Sequence, residues 1–201
     1  MKKLFFALLL ALISSVNVVL ADVAVPGKAS PSFSLPNALG ESVSLGSLQG
    51  KTVVLEWFKP ECPFVKKFYR GGDMPKLQQE ARSQGVVWLT ISSSTQGKQG
   101  HISAIDAASV AQQQNLDPKF LLLDSDGAVG KAFGARTTPH IFVIDPKGVV
   151  AYAGAIDSTP STSSSDISSA TNYARAAYQA ISQGKSPSPA STEPYGCSVK
   201  Y

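Results

Sequence analysis

The sequence predicts an α/β domain, in which a mixed β-sheet carries helices on both of its faces. Two observations lead to this fold class. Apolar runs of strand length alternate with stretches of helical character along the middle of the chain, which predicts strands connected by helices. The turn sequence Asp145-Pro146-Lys147-Gly148 then joins two further apolar runs and predicts an antiparallel hairpin that completes the sheet.

The predicted elements follow one another without an internal repeat, and Gly71-Gly72 separates the first two helices. In order, they are a small ribbon from Phe33–Leu35 and Val43–Leu45, a strand at Thr52–Phe58, a helix at Pro63–Tyr69, a helix from Asp73 to about Gln84, a strand at Val86–Ser92, a helix within Ile102–Asn115, a strand at Phe120–Leu123, a short helix at Ala128–Phe133, the hairpin strands Ile141–Ile144 and Val149–Ala153, and a last helix at Asp166–Ser182.

The N-terminus has the features of a secretory signal peptide. Met1-Lys2-Lys3 is a positive segment, Leu4–Ile13 is apolar, and Val19-Leu20-Ala21 suits a signal peptidase, so we place cleavage before Asp22. This predicts an exported protein of the periplasm or the extracellular space. Polar residues interrupt the apolar run, so we expect no stable membrane insertion after cleavage. Retention as an uncleaved membrane anchor is the alternative.

The remaining chain has the size of one domain. Removing residues 1–21 leaves 201 − 21 = 180 residues. It also removes Lys2 and Lys3, so the formal charge falls from +4 to 4 − 2 = +2, which does not indicate a nucleic-acid partner. We predict a domain over residues 22–182 and a flexible Pro/Ser-rich tail over residues 183–201, which carries Cys197.

Cys62 is the residue whose position indicates the most chemistry. It follows an apolar run and a short turn, and Pro63 after it suits the first turn of a helix. A sulfur at a helix N-terminus meets unpaired N–H groups and the helix dipole, which stabilise a thiolate. We expect Lys59, Lys66 and Lys67 to lower its pKa further. The pattern predicts a nucleophile for a disulfide or a peroxide. The alternative is a buried cysteine that serves as a small hydrophobic side chain.

The remaining polar candidates are few. Cys62 and Cys197 are either one structural bridge or a redox couple, in a compartment where disulfides persist. His101 and His140 match no metal-binding spacing, and we predict neither a metal nor a cofactor. Glu56 stands in the middle of a buried strand, where an unpaired charge is costly. It could pair with a lysine such as Lys59 at the end of the sheet.

The order of elements around Cys62 resembles the thioredoxin fold. Within that fold, the chain is similar to redoxins of the alkyl hydroperoxide reductase/thiol-specific antioxidant (AhpC/TSA) family, especially the peroxiredoxin-like branch. The resemblance covers about residues 30–157 and the tail. It rests on the segments Ser32–Pro36, Cys62–Lys66, Gly134–Asp145, Gly154–Asp157 and Tyr195–Tyr201.

The resemblance implies roles for several residues. The Thr138-Pro139 bond is expected to be cis and to face Cys62, with backbone groups that bind a peptide. Glu56 takes the place of a buried acid that passes protons to and from the thiols, which is the second interpretation of this residue. The residues assigned to substrate binding are Trp57, Pro63, Thr138, Pro139 and Arg136.

Two departures from the family patterns affect the expected reaction. Thioredoxins carry a second cysteine where Val65 stands, so the helix supplies no partner sulfur. Peroxiredoxins carry a proline and a threonine or serine where Leu55 and Lys59 stand, so the peroxide pocket is not evident. Arg136 could supply the cation that polarises a peroxide bond; the alternative is a solvated loop charge.

Cys197 completes the functional prediction. On a flexible tail it could resolve a sulfenic acid or a mixed disulfide on Cys62, whereas a static bridge would stabilise the fold by about 4–5 kcal/mol. We therefore predict an exported, peroxiredoxin-like thiol oxidoreductase that takes a peroxide or disulfide substrate and a thiol reductant such as a thioredoxin-like protein. One alternative is thiol–disulfide exchange with protein substrates. The other is a non-catalytic redoxin-fold binding or metal-carrier module.

Overall fold

The computed structural model describes residues 23–201. The signal peptide predicted over residues 1–21 lies outside the described residues. Within the described part, no helix has both the length and the apolar character needed to cross a membrane.

Nine strands and five α-helices make up the described chain. They are β1 (Ser34–Pro36), β2 (Ser42–Ser44), β3 (Val53–Trp57), α1 (Pro63–Tyr69), α2 (Asp73–Ser83), β4 (Val87–Ser92), α3 (Ala107–Gln113), β5 (Leu121–Leu123), α4 (Ala128–Phe133), β6 (Thr137–Thr138), β7 (His140–Ile144), β8 (Val150–Gly154), α5 (Tyr173–Ser182) and β9 (Cys197–Ser198). Single turns of 3-10 helix lie at Leu45–Leu48, Pro118–Phe120 and Ser164–Asp166.

The central sheet is mixed, as predicted, with the strand order β5-β4-β3-β7-β8. β3 lies at its centre, parallel to β4 and antiparallel to β7. All five residues of β3 are buried, because layers of side chains cover both faces of the sheet. β1 and β2 form a separate antiparallel ribbon, and β6 pairs with β9 outside the central sheet.

Alternation along β3 divides the core into two layers. Val54, with Phe58 just beyond the strand, packs on the face covered by α1, α2, α3 and α5. Leu55 and Trp57 pack on the opposite face, against Phe133 of α4. Successive side chains of a strand point to opposite faces, so one apolar run supplies both layers. The layer that includes α1 also contains Cys62.

The last helix begins later than the sequence predicts. The prediction places its start at Asp166, but residues Ser164–Asp166 form one 3-10 turn and α5 begins at Tyr173. Asn172 caps α5, because its side-chain oxygen accepts a hydrogen bond from the N–H of Arg175 at 2.8 Å. The carboxylate of Asp166 instead accepts a hydrogen bond from the hydroxyl of Ser161.

The tail, predicted to be a flexible tether, follows the edge of the sheet in the structure. The N–H of Ala153 in β8 donates to the carbonyl of Ala190, and the N–H of Thr192 donates back to the carbonyl of Ala153. The hydroxyl of Thr192 also accepts from the N–H of Ala155 at 2.9 Å. The edge of β8 offers unpaired backbone groups, and the tail satisfies them before it returns to β6.

Candidate active site

Cys62 occupies the cap position of α1, directly after the carboxyl end of β3. Its backbone is extended, and its carbonyl accepts hydrogen bonds from the N–H groups of Val65 and Lys66. Pro63 is the first helical residue. The side chain of Cys62 is 1 % exposed. The predicted helix N-terminal cysteine is therefore present, but it lies beneath other parts of the chain.

The sulfur of Cys62 lies in a polar surrounding. Its Sγ is 3.0 Å from the carbonyl oxygen of Thr138, to which the thiol donates. Burial acts to raise the pKa of Cys62, but hydrogen bonds from the side chains of Cys197 and Thr138 outweigh burial. The backbone N–H groups of Cys197 and Val65 contribute in the same direction, so the pKa of Cys62 is lowered overall. A lowered pKa raises the fraction of reactive thiolate at neutral pH.

Cys197 reaches this place through the pairing of β9 with β6. Thr138 lies directly opposite Cys197 in that antiparallel pair, and its hydroxyl donates to the carbonyl of Cys197 at 3.3 Å. Both cysteines are free thiols. Burial and the neighbouring Cys62 raise the pKa of Cys197 to about 11, while the charges of Lys59 and Lys200 act to lower it. Cys62 is therefore the stronger acid of the two thiols.

The lysines near Cys62 do not act as the sequence suggested. Lys67 is buried and forms an ion pair with Asp157 at 3.1 Å. The ammonium of Lys59 is directed to the tail, where it donates to the carbonyl of Ser198 at 3.5 Å. The largest contributions to the lowered pKa of Cys62 come from hydrogen-bond donors rather than from the lysines.

Asp157 ties the tail to α1. Its carboxylate accepts from Lys67 and, through the other oxygen, from the hydroxyl of Tyr195. The ring of Tyr195 meets Phe64 of α1 edge-to-face, with 5.7 Å between the ring centroids. Tyr195 therefore anchors the tail two residues before Cys197.

Tyr201 anchors the tail on the other side of Cys197. Its hydroxyl donates to the carbonyl of Ala135 at 2.6 Å. The ring occupies a slot beside Gly127 and Gly130, where an added Cβ would overlap it. The backbone of the intervening residues is also fixed, since Val199 donates to the carbonyl of Arg136 at 3.0 Å.

Glu56 is fully buried and receives four neutral donors. The hydroxyl of Tyr69, the side-chain amide of Gln78, the indole of Trp88 and the hydroxyl of Thr90 donate to it at 2.8, 3.0, 2.9 and 3.4 Å. The ion pair with Lys59 is not formed. Burial raises the pKa of Glu56 to about 7, although the hydrogen bonds act to lower it.

Two residues assigned to substrate binding lie elsewhere. Trp57 is buried on the sheet face opposite Cys62, and its indole donates to the hydroxyl of Ser93 at 2.9 Å. Alternation along β3 explains this, because Trp57 and Glu56 must point to opposite faces. Arg136 lies at the surface and forms an exposed ion pair with Glu193 at 3.0 Å, which is the position expected of a solvated loop charge.

The other assigned residues lie around Cys62. The Thr138-Pro139 bond is cis, as the resemblance implied, and both residues are buried. Pro63 is exposed and lines an open cavity of about 310 Å³ together with Lys66, Lys67, Arg70, Thr162 and Ser164.

A sequence profile of the AhpC/TSA family matches residues 26–153, which is more than half of the chain. The chain belongs to the AhpC/TSA family. No curated protein sequence matches it.

Solved structures share the thioredoxin-like fold of this AhpC/TSA family member, which confirms the predicted fold. A hypothetical protein from Sinorhizobium meliloti superposes with a TM-score of 0.74 at 22 % identity, covering 90 % of this chain and 96 % of that chain. An uncharacterized conserved protein from Geobacillus kaustophilus gives 0.72 at 28 % identity, covering 88 % and 92 %. The thioredoxin domain of a thiol-disulfide oxidoreductase from Bacteroides vulgatus gives 0.50 at 20 % identity, covering 63 % and 85 %.

In this AhpC/TSA family member, sequence reasoning missed the residues that hold the tail. Asp157 and Tyr195 stand within segments that carry the family resemblance, but nothing in their spacing indicates that they meet. Gly196, between Tyr195 and Cys197, has a φ of 133°, and an added Cβ would overlap the carbonyl oxygen of Thr138. A glycine directly before the cysteine was the one available signal of a close backbone approach.

Proposed function

We propose that the protein is a two-cysteine thiol oxidoreductase, with Cys62 as the nucleophile and Cys197 as the resolving thiol. The observation that carries the proposal is the position of Cys197, which lies directly opposite Thr138 in the β9–β6 pair, while the carbonyl oxygen of Thr138 is 3.0 Å from the sulfur of Cys62. Thr138 and Pro139 provide the peptide-facing side of the site, and Pro63 its exposed rim. Trp57 and Arg136 take no part.

The reaction favoured by these contacts is exchange with a disulfide. The Cys62 thiolate attacks one sulfur of the substrate disulfide, and the other substrate sulfur leaves as a thiolate that takes a proton. The Cys197 thiolate then attacks the sulfur of Cys62 and releases the second substrate thiol. The substrate gains two electrons and two protons, and the protein ends as a Cys62–Cys197 disulfide, which an external dithiol such as that of a thioredoxin-like protein reduces again.

Charge in the site supports this order of events. Burial raises the pKa of both thiols, but hydrogen-bond donors lower that of Cys62 overall, so Cys62 loses its proton more readily than Cys197. Loss of the negative charge on Cys62 during the first step removes one cause that raises the pKa of Cys197. Lys59 and Lys200 then favour the Cys197 thiolate, which the second step requires. Glu56, with a pKa of about 7, could exchange a proton with the site at neutral pH.

Peroxide reduction is the second candidate. In it, Cys62 attacks a peroxide oxygen, becomes a sulfenic acid and releases an alcohol or water, and Cys197 displaces hydroxide from the sulfenic sulfur. The position of Cys197 favours it, because a sulfenic acid on Cys62 would form beside Thr138, with which Cys197 is paired. The exposed ion pair of Arg136 with Glu193 argues against peroxide reduction, because the cation is directed at Glu193 and not at Cys62.

One experiment separates the two substrates. The reduced protein is mixed in turn with hydrogen peroxide and with a small disulfide, and the Cys62–Cys197 bond is followed by mass spectrometry of unreduced peptides. Faster formation of that bond with the disulfide supports exchange, and faster formation with peroxide supports peroxidase activity. If neither oxidant links the two cysteines, the proposal is wrong. A Cys197→Ser variant is the control, because it should stop at a mixed disulfide or a sulfenic acid on Cys62.

We also propose that the protein is exported. The support is the segment of residues 1–21, whose charge and apolar run have the order of a signal peptide. The mature N-terminus tests this: the mass of the protein from its native host should show Asp22 as the first residue, and an intact Met1 would contradict cleavage.

A further inference from the structure

The tail lies where an extended peptide would have to bind. β9 pairs antiparallel with β6, so Cys197 lies directly opposite Thr138, whose carbonyl oxygen is 3.0 Å from the sulfur of Cys62. With the tail in this place Cys62 is 1 % exposed, and a disulfide carried by another protein cannot reach it. Attack on such a disulfide therefore requires the tail to leave.

Departure of the tail would uncover groups that need a partner. The backbone of Thr137 and Thr138 would lose its strand neighbour, and an exposed strand edge favours the addition of another strand. The ring of Phe64 would lose its edge-to-face contact, and the buried carboxylate of Asp157 would lose the hydroxyl of Tyr195. These groups lie in a row that starts at the aromatic contact and ends at Cys62.

The space along these groups also limits the size of each residue that a bound strand can place there. At the position of Gly196 the carbonyl oxygen of Thr138 leaves no space for a Cβ. At the position of Tyr195 an aromatic ring fills the space beside Phe64, with the ammonium of Lys67 5.9 Å from its centroid. A bound strand thus meets three different requirements in three successive residues: an aromatic ring, no side chain, and a sulfur.

We propose that this channel, bounded by β6, Phe64, Asp157 and Cys62, is a substrate groove for an extended strand of a partner protein. The strand presents an aromatic residue, a glycine and a disulfide-bonded cysteine in succession, and the tail of the protein is its resident mimic. This inference rests on the proposed thiol–disulfide activity and adds the class of substrate.

Because the tail and the partner strand occupy the same groove, the steps of the reaction follow in a fixed order. With the partner strand bound, the Cys62 thiolate attacks the sulfur of the partner's cysteine, and the second cysteine of the partner's disulfide leaves as a thiolate. The partner strand, still joined to Cys62 by the mixed disulfide, leaves the groove and the tail takes its place. The Cys197 thiolate attacks the sulfur of Cys62, and the partner's first cysteine leaves as a thiolate. Both electrons reach the partner, and the tail in the groove competes with rebinding of the reduced strand.

The test uses the full mature chain with Cys197→Ser, so that Cys62 is the only thiol. The probe is the amidated peptide acetyl-Pro-Tyr-Gly-Cys-Ser-Val-Lys-Tyr, with its cysteine in a disulfide with thionitrobenzoate. Attack by Cys62 on the peptide sulfur releases the coloured thionitrobenzoate, and the rate is measured against peptide concentration. Two matched peptides carry alanine in place of the tyrosine before the glycine, or in place of the glycine.

We expect the rate at low peptide concentration to fall by about tenfold with either alanine peptide, because one loses the aromatic contact with Phe64 and the other gains a Cβ that overlaps the carbonyl oxygen of Thr138. The symmetrical nitrobenzoate disulfide is the reference for the intrinsic reactivity of Cys62. Equal rates for the three peptides, with normal reaction of the reference, overturn the groove and leave the proposed function intact. Failure to react with the reference overturns both.

A change in the tail gives an independent measurement on the same groove. Tyr195→Ala, added to Cys197→Ser, removes the anchor that holds the tail at Asp157, so the tail should compete less well. We expect the rate with the matched peptide to rise several-fold while the ratio between matched and alanine peptides stays the same. An unchanged rate shows that peptide and tail do not share a site, which overturns the proposal.

Discussion

The indole N–H of Trp88 donates to the carboxylate of Glu56 at 2.9 Å, across the pairing of β3 with β4. Both side chains are fully buried. The acid is therefore surrounded by neutral donors, and no cation within residues 23–201 pairs with it. Burial raises its pKa to about 7. An acid with this pKa is protonated in part at neutral pH, which makes it a titrating group in the interior.

Glu56→Gln should remove a pH dependence of stability. The folded protein holds a proton on Glu56 up to a pKa of about 7, whereas the unfolded chain releases it at about 4.5. Stability therefore falls as the pH rises from 4.5 to 7, by about 3 kcal/mol at the limit. Glutamine can keep most of the hydrogen bonds and does not titrate. Urea unfolding of the variant across this range should lack the fall, and an unaltered fall would assign it to another group.

His140 should contribute a dependence of stability on pH that has the opposite sign to that of Glu56. Burial and then the charge of Arg136 lower its pKa from 6.5 to about 3. The unfolded chain binds a proton below 6.5 that the folded protein does not, so stability is lost as the pH falls from 6.5 towards 3. His140→Gln keeps an acceptor for the N–H of Arg136 and should abolish that loss. Between pH 4.5 and 6.5 the two groups oppose each other, and each single variant should reveal the slope of the other.

The fold was predictable because its elements are set by local patterns. β3 and β7 are apolar runs bounded by turn residues, and α1 begins at a proline directly after Cys62. The start of α5 was not predictable in the same way. Asp166 and Asn172 are both suitable caps in the sequence, and the structure selects Asn172, which binds the N–H of Arg175.

The site was predictable where position along one element decides the chemistry. Cys62 at the N-terminus of α1 and Glu56 in a buried strand are such cases. Contacts between distant segments were not predictable, because no periodicity relates Tyr195 to Asp157. For the same reason the partner of Lys67 was not predictable: its ammonium pairs with Asp157, 90 positions away in the sequence, and not with Cys62.

The pKa of Cys62 should depend on the donor at position 197. Cys197→Ala removes the side-chain donor to the sulfur, whereas Cys197→Ser keeps a hydroxyl there. We expect the pKa of Cys62 to rise in the alanine variant and to rise less in the serine variant. The ultraviolet absorbance of the thiolate, titrated in reduced protein, measures this without access to the buried sulfur. Values in both variants equal to that of the unmodified protein would show that the side chain at position 197 does not lower the pKa of Cys62, and would leave Thr138 and the backbone N–H groups as its cause.

Lys59 should assist the attack of Cys197 on the sulfur of Cys62 rather than the earlier attack of Cys62 on the substrate. Its ammonium is buried, donates to the tail at Ser198, and acts to lower the pKa of Cys197. In Lys59→Met we expect the formation of the Cys62–Cys197 disulfide to slow at neutral pH, with its rising limb shifted to higher pH, and Lys59→Arg to restore part of the rate. Stopped-flow mixing with a small disulfide measures both steps.

A purely structural role for Lys59 predicts a different pattern. In that case Lys59→Met would have a lower free energy of unfolding, and the pH profile of the attack of Cys197 on Cys62 would not change. Burying a methionine instead of an ammonium should instead leave stability equal or higher, because no carboxylate among the described residues pairs with Lys59.

Replacing only one partner of the buried ion pair between Lys67 and Asp157 should lower the free energy of unfolding strongly. Both side chains are at most 3 % exposed, so Asp157→Asn leaves an ammonium without its counter-charge, at a cost of about 3–5 kcal/mol in the free energy of unfolding. Lys67→Met in the same chain should return part of this loss, because it removes the unpaired charge. The matched control is Glu193→Gln, whose pair with Arg136 is 60 % and 81 % exposed and should contribute about 1 kcal/mol or less. Urea unfolding of the four proteins decides the question. A cost for Asp157→Asn as small as that of Glu193→Gln would mean that water reaches Lys67, and that the tail does not seal this side of the site through Tyr195.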